Sequence, residues 1–345
     1  MTLPLLATMG VGSYAGPGWF IAGHRMMRDG ALGELDIQEL MEDATRIVIA
    51  DQLEAGIDVL SDGELRRQRF VFEMYGRLEG LVRRPVPRRL GIAGYDMAPQ
   101  FDLDDKITAP NGLGVVEEFL ALRRLAPGAR LKVAIPGPLT FADWVHTDAD
   151  RAGAVIEDLI AIVRAEVAAL AAAGADLIQL DEPGLPLLPH GLDATAAVEV
   201  INRTIAGIEA TFAVHVCFGN NAGRPGSDRR LGPIADAIDQ IAAQQLHLEF
   251  ANREMAEIGL LADWSKNHDI GVGVVDVKNF HLETAEDVAR RIRQCLEHMP
   301  AERMIVTADC GFSALPRYIA RQKLQALVDG AKLVRQELSG GTSGA

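Results

Sequence analysis

Leu177-Ile178-Gln179-Leu180-Asp181-Glu182-Pro183 is a short, largely apolar run that ends abruptly on two carboxylates and a proline. A run of this length and composition, bounded by turn formers, reads as a strand buried on both faces. The Ala-rich amphipathic stretch 152–173 precedes it and a second one, 194–210, follows. A buried strand between two helical stretches is the unit of a parallel sheet, because parallel neighbours need a helix-sized return. The same unit recurs elsewhere in the chain. Strand-like runs at 5–11, 57–61, 131–135, 177–180, 213–216, 246–250, 270–275 and 304–307 alternate with helical patterns that include 37–55, 233–243, 285–297 and 316–336. Eight such units in 345 residues predict an α/β fold of the (β/α)8 TIM-barrel type. An open doubly wound sheet competes with it, but that fold calls for a glycine-rich phosphate turn after the first strand. Gly10-Val11-Gly12-Ser13 lacks the third glycine, and Gly16-Pro17-Gly18 is expected to break a helix there.

Segment 78–125 is rich in breakers, with Pro85, Pro87, Pro110, Gly91, Gly94, Gly112 and Gly114. It is expected to leave the barrel after the second strand unit as a hairpin-like excursion, Ile92, Tyr95 and Met97 being spaced for a hairpin more than a helix. No composition shift divides the chain. One domain is expected over 1–338, followed by a disordered Gly- and Ser-rich tail, 339–345.

With 48% hydrophobic residues the chain can bury a large core, and a net charge of -14 argues against nucleic acid as a partner. The one basic stretch, Arg83-Arg84-Pro85-Val86-Pro87-Arg88-Arg89, reads as a solvated loop. The N-terminus has no signal-peptide pattern, and the most apolar helical stretch, 155–173, carries Glu157, Asp158, Arg164 and Glu166, so no membrane association is expected. A cytoplasmic protein is the expectation, and three cysteines in a reducing compartment are thiols or metal ligands rather than disulfides. Oligomerisation is left open.

In a β/α barrel the loops after the strands form the active face. Nearly every strand here ends in polar residues: Ser13, Asp62 and Glu64, Thr140, Asp181 and Glu182, His215 and Cys217, Glu249, Asp276 and Lys278, Asp309 and Cys310. His215 and Cys217 are two residues apart on a strand, so their side chains share one side. Imidazole and thiolate together select zinc over magnesium or calcium. A packed histidine beside an inert thiol explains H-x-C equally well; Cys310, at another strand end before Gly311, adds weight to a metal. Cys295 falls in a helical pattern and is an ordinary core or surface thiol. Asp62 and Glu182 can equally cap helices or fix loops. Asp181 follows an apolar run directly, where an ionised group needs a partner, and a substrate ammonium would be one.

Taken in order, these pieces resemble the catalytic C-terminal half of cobalamin-independent methionine synthase and its short single-domain relatives, over almost the whole chain. The matching pieces are Gly12-Ser13, D-V-L-S-D-G-E-L from Asp58, G-P-L-T from Gly137, I-Q-L-D-E-P from Ile178, H-V-C from His215, L-E at Leu248, G-V-V-D-V from Gly273 and A-D-C-G from Ala308. The resemblance implies a zinc-dependent methyltransferase of methionine biosynthesis, with His215, Cys217, Glu249 and Cys310 as Zn2+ ligands. It implies that Glu64 and Asp181 hold the amino group of homocysteine, that the main chain at Ser13 meets its carboxylate, and that Trp144 lies near the folate ring. The donor is then methylfolate or a methylated corrinoid protein. Two departures bear on it: the second, N-terminal barrel of the full-length synthase is missing, and the family's proton-donating histidine after Asp276-Val277 is replaced by Lys278. A folate amine leaves only when protonated, so Lys278 supplies that proton or a different donor is used. Alternatives are an epoxyalkane:coenzyme M transferase, whose sulfonate could use Arg66, Arg67, Arg69 and Lys278, a tetrapyrrole-carboxylate decarboxylase barrel without zinc, and a non-catalytic zinc or thiol sensor.

Overall fold

The computed structural model describes residues 3–67, 70–88, 97–220 and 225–340. Six parallel strands stand side by side in chain order: Lys132–Pro136, Leu177–Asp181, Thr211–Val216, Gln245–Leu248, Asp269–Val275 and Met304–Ala308. Parallel bridges from Leu60 to Leu131, Met9 to Val59 and Thr8 to Val306 carry the ladder through two more short segments and back to the last strand. The sheet therefore closes into an eight-stranded barrel, as the repeated units predict.

The first segment is shorter than the expected strand 5–11. Leu5 and Leu6 form a turn, with Leu6 at φ 50°. Their carbonyls accept from Arg335 at 2.8 and 2.9 Å, and the Thr8 amide donates to Asp58 at 2.8 Å, so side chains satisfy backbone groups that a neighbouring strand would otherwise pair.

The excursion is an antiparallel hairpin of Glu79–Arg84 with Gln100–Thr108, extended by a parallel pairing to Val145–His146. Arg83 and Arg84 thus lie exposed on a strand rather than in the expected loop, and Arg84 faces Asp102 at 3.6 Å. Ile92 and Tyr95 lie outside the described residues. The excursion ends earlier than expected, because Val115–Leu125 is a helix. Buried Glu166 explains it: its carboxylate accepts the amides of Leu113, Val115 and Val116 at 2.8, 2.7 and 3.1 Å, capping the helix from a distant element.

Two further expectations are corrected. Gly16-Pro17-Gly18 starts a helix, Gly18–Arg28, instead of breaking one; Pro17 stands at its N-cap, where a missing N–H costs nothing. The last helix, Arg317–Gly340, runs through the first two residues of the expected tail, Ser339 turning its hydroxyl back to the Arg335 carbonyl at 2.8 Å. Among the described residues, no helix is long and apolar enough to cross a membrane.

Helices pack around the outside in one extended apolar core, while Met9, Val59, Leu177, Ala213 and Ile305 form a separate plug inside the barrel. Side-chain alternation puts Gln179 and Asp181 on the same lumen face as Leu177, and likewise His215 and Cys217 with Ala213. The lumen therefore changes from apolar to polar toward the strand C-termini. Lys132, fully buried there, donates to Gln179 at 2.8 Å and to the Gly10 carbonyl, and Gln179 passes the connection on to Asp181 at 2.6 Å.

Candidate metal and substrate site

Strand Thr211–Val216 aims His215 into the lumen, Cys217 follows its end, and Cys310 lies just past Met304–Ala308. One atom from each of these three residues falls within 4.8 Å of the others. The two sulfurs are 3.8 Å apart. That is far too long for a disulfide, and it equals the edge of about 3.8 Å that two thiolates span on a tetrahedral zinc with Zn–S about 2.3 Å. His215 Nδ1 lies 3.1 Å from the His247 carbonyl, which can only accept, so Nδ1 carries the proton and Nε2 is the basic nitrogen. Nε2 is buried and has no hydrogen-bond partner among protein oxygens and nitrogens. A backbone carbonyl that fixes the tautomer and leaves the other nitrogen bare is the usual support for a ligating histidine. A hydrogen bond from Cys217 holds the Cys310 thiol well below its ordinary range, while that same bond and burial push Cys217 well up.

Glu249, the fourth expected ligand, follows strand Gln245–Leu248 but does not join this group. Lys278 Nζ donates to both its oxygens at 2.7 and 2.6 Å, and the Phe218 amide donates to one of them at 3.2 Å. Asp276 is turned to its own loop: it accepts the Lys278 amide at 2.7 Å and the side-chain amides of Asn252 and Asn279. Asp309, beside Cys310, accepts the amides of Phe250 and Ala251 at 2.9 and 2.8 Å and so fixes the chain just after Glu249. A glycine at 273 makes room for it, since a Cβ there would come within 2.3 Å of its carboxylate.

Asp181 is the register partner of His215 on the neighbouring strand, so the expected amine-binding side adjoins the metal group directly. Glu64 is buried at φ 58° with its carboxylate 3.6 Å from Arg67. A side chain at Gly12 would collide with it, a Cβ lying 2.1 Å from Oε1. Burial pushes Glu64 up to about 8 and Glu118, the other partner of Arg67, up to about 7. It also raises Asp181 and brings Lys132 down to about 7.

Asp62 and Glu182 take the structural roles open to them. Asp62 accepts the Glu64 amide at 3.0 Å, and Glu182 accepts the amides of Leu139 and Thr140 at 3.2 and 2.9 Å, shaping the G-P-L-T turn. Ser13 packs against the loop after Cys310, its carbonyl accepting the Phe312 amide at 2.7 Å. Trp144 is half-buried under the hairpin, its ring edge-on to Phe72 at 4.9 Å and its carbonyl accepting the Phe101 amide at 3.0 Å. Lys132, Gln179 and Glu118 were not singled out from sequence; Arg67 was named only as a cation for a sulfonate and Asp309 only as a strand-end carboxylate. Only Lys132 carried a usable signal, a charge inside an apolar strand run.

Residues 6–333 match the family described as the catalytic domain of cobalamin-independent synthase. The chain belongs to the cobalamin-independent methionine synthase family. Methionine synthase of Sulfurisphaera tokodaii is 34% identical over 337 residues, covering 97% of this chain and 94% of that one. The Pyrococcus abyssi enzyme of the same name is 34% identical over 340 residues, covering 98% and 95%. A solved B12-independent methionine synthase from Shewanella, in complex with selenomethionine, superposes with a TM-score of 0.81 at 27% identity, covering 98% of this chain and all of that one. A Listeria monocytogenes structure at TM-score 0.71 and 19% identity shares the fold. Membership places the chain among the thiol S-methyltransferases.

Proposed function

We propose that the protein transfers a methyl group from methylfolate to homocysteine, giving methionine, at a zinc ion held by His215, Cys217 and Cys310, with Glu249 beside it as the remaining candidate ligand. The observation that carries this reading is the sulfur pair at 3.8 Å grouped with a buried His215 Nε2 that has no oxygen or nitrogen partner, a donor set that fits zinc. Zinc bound there would hold the substrate thiol as thiolate at neutral pH. Glu64 and Asp181 receive the substrate ammonium; burial raises the pKa of both, and a cation bound between them would favour their charged forms. The Ser13 main chain meets the substrate carboxylate, and Trp144 borders the donor ring. Asp276 organises the loop that carries Lys278, whose ammonium can reach a leaving amine only by giving up Glu249. The family is defined as independent of cobalamin, which gives a corrinoid donor no support. The sulfonate alternative loses cations, since Arg67 is committed to Glu118 and Lys278 to Glu249. Free thiols at the site agree with a reducing, cytoplasmic setting.

Purified protein should contain stoichiometric zinc and convert homocysteine with methylfolate. Coenzyme M and methylcobalamin serve as competing acceptor and donor. Full activity in metal-free protein would overturn the zinc assignment, and bound zinc without methyl transfer from any donor would favour a sensor.

A further inference from the structure

Helix Gly18–Arg28 is apolar on two faces rather than one. Phe20, Gly23, His24 and Met27 recur at helical spacing and look inward: Phe20 and His24 are buried, and Gly23 lies so close to helix Glu34–Ala55 that a Cβ there would come within 2.7 Å of a Leu40 methyl. Trp19, Ala22 and Met26 form a second stripe, with Ile21 beside it, and this one looks outward. Trp19 and Met26 are each 47% exposed and Ile21 is 58% exposed. A helix on the outside of a barrel normally spends its outward face on polar side chains, and one that is apolar there calls for a cover.

Charge at the two ends of the stripe says what the cover is. Trp19 borders a groove of about 360 Å3 between the two helices, with Gly23 and Leu40 on its floor and Glu39 and Asp43 on its rim. The last turn of the helix carries Arg25 and Arg28 instead. Among the described residues none of these four charged side chains makes an ion pair, and all four are exposed. A surface with a free acidic end and a free basic end is complementary to itself when turned end for end.

We propose that helix Gly18–Arg28 is the contact of a two-fold dimer, packing antiparallel against the same helix of a second copy and crossing it at Ala22. The small Ala22 side chain lets the two backbones approach, and the Trp19, Ile21 and Met26 side chains of both copies leave water together. In this register Arg25 of each copy stands opposite Trp19 of the other, over the indole face and beside the rim that bears Glu39 and Asp43. A contact of this kind uses the same patch on both copies, so it closes at two and leaves no sticky end to polymerise. A membrane fits the stripe less well, because Glu34, Asp36, Glu39 and Asp43 on the neighbouring helix would face anionic head groups.

Sedimentation equilibrium of the full chain reads the association directly. The wild type should be dimeric in the micromolar range in low salt, where exposed charges are least screened. Ala22→Arg sets two like charges face to face on the two-fold axis and should weaken the dimer by about 100-fold or more. Arg25→Glu should weaken it too, as should Glu39→Arg together with Asp43→Arg, and all three substitutions in one chain should bring the dimer back. A wild type that stays monomeric overturns the inference, and so does a dimer that Ala22→Arg leaves untouched or a combined variant that does not re-associate. Cosedimentation with phosphatidylcholine–phosphatidylserine vesicles that is lost in Ala22→Arg overturns it in favour of a membrane surface. Should Ala22→Arg fail to fold, the exposed charge reversals decide by themselves.

Discussion

The two sides of the barrel mouth sit on adjacent strands and bury different groups. On the metal side, Glu249 is matched by Lys278, and His215 Nε2 turns to the two thiols with no oxygen or nitrogen partner. On the amine side, the carboxylates of Asp62, Glu64, Glu118 and Asp181 share the cations of Arg66, Arg67, Arg77 and Lys132, and burial raises the pKa of Glu64, Glu118 and Asp181. One side offers soft donors and the other buried carboxylates. An amino acid carrying a thiol answers both only if its ammonium and its sulfur are a short chain apart, as the pairing of Asp181 with His215 allows.

The largest expected effect separates the two sides. Cys310→Ser should lower metal affinity by about 100-fold or more and remove activity with it, read by metal analysis after dialysis. Retained stoichiometric zinc would break the assignment of the metal side. Asp181→Asn should leave metal content intact while reducing kcat/KM for homocysteine by roughly 10- to 150-fold, the worth of one charge-assisted hydrogen bond. Loss of zinc in that variant would mean the two sides are not separable.

The amine side also predicts a pH dependence. The folded-state pKa of Glu64, about 8, lies above its unfolded value, so between them the native protein binds more protons than the unfolded chain. Its stabilising contribution is complete below about pH 4.3 and is lost as pH rises through about 8. Glu64→Gln should therefore raise Tm in substrate-free protein near pH 8 by roughly 2 °C or more and leave it little changed near pH 5. Equal shifts at both pH values would show that desolvation does not control this carboxylate. The smallest effect lies away from the mouth. Glu166→Gln should cost about 1–3 kcal/mol in urea melts by weakening the cap on Val115–Leu125, with kcat unchanged.

The barrel was legible because its signal is local. Every strand of a parallel sheet is buried on both faces, so each run announces itself without its neighbours. The hairpin was legible from its breakers, but helix Val115–Leu125 was hidden among them, since its cap comes from Glu166, remote in sequence. Helix Gly18–Arg28 was missed for a different reason: Gly-Pro-Gly looks like a breaker unless the proline falls at the N-cap. Of the site, the strand-end residues were readable because position on a strand fixes the face. The roles of Arg67, Glu118 and Asp309 were not, because what they do depends on partners across the barrel.

By itself, then, the sequence determined the eightfold strand pattern, the residues at the strand ends and the soft character of the metal donors, all properties of short range along the chain. Only the tertiary structure decided that Cys217 and Cys310, 93 residues apart, lie 3.8 Å from each other, and that Glu249 faces Lys278 instead of joining them. Coulomb energy and ligand geometry depend on distance in space, and barrel closure sets that distance.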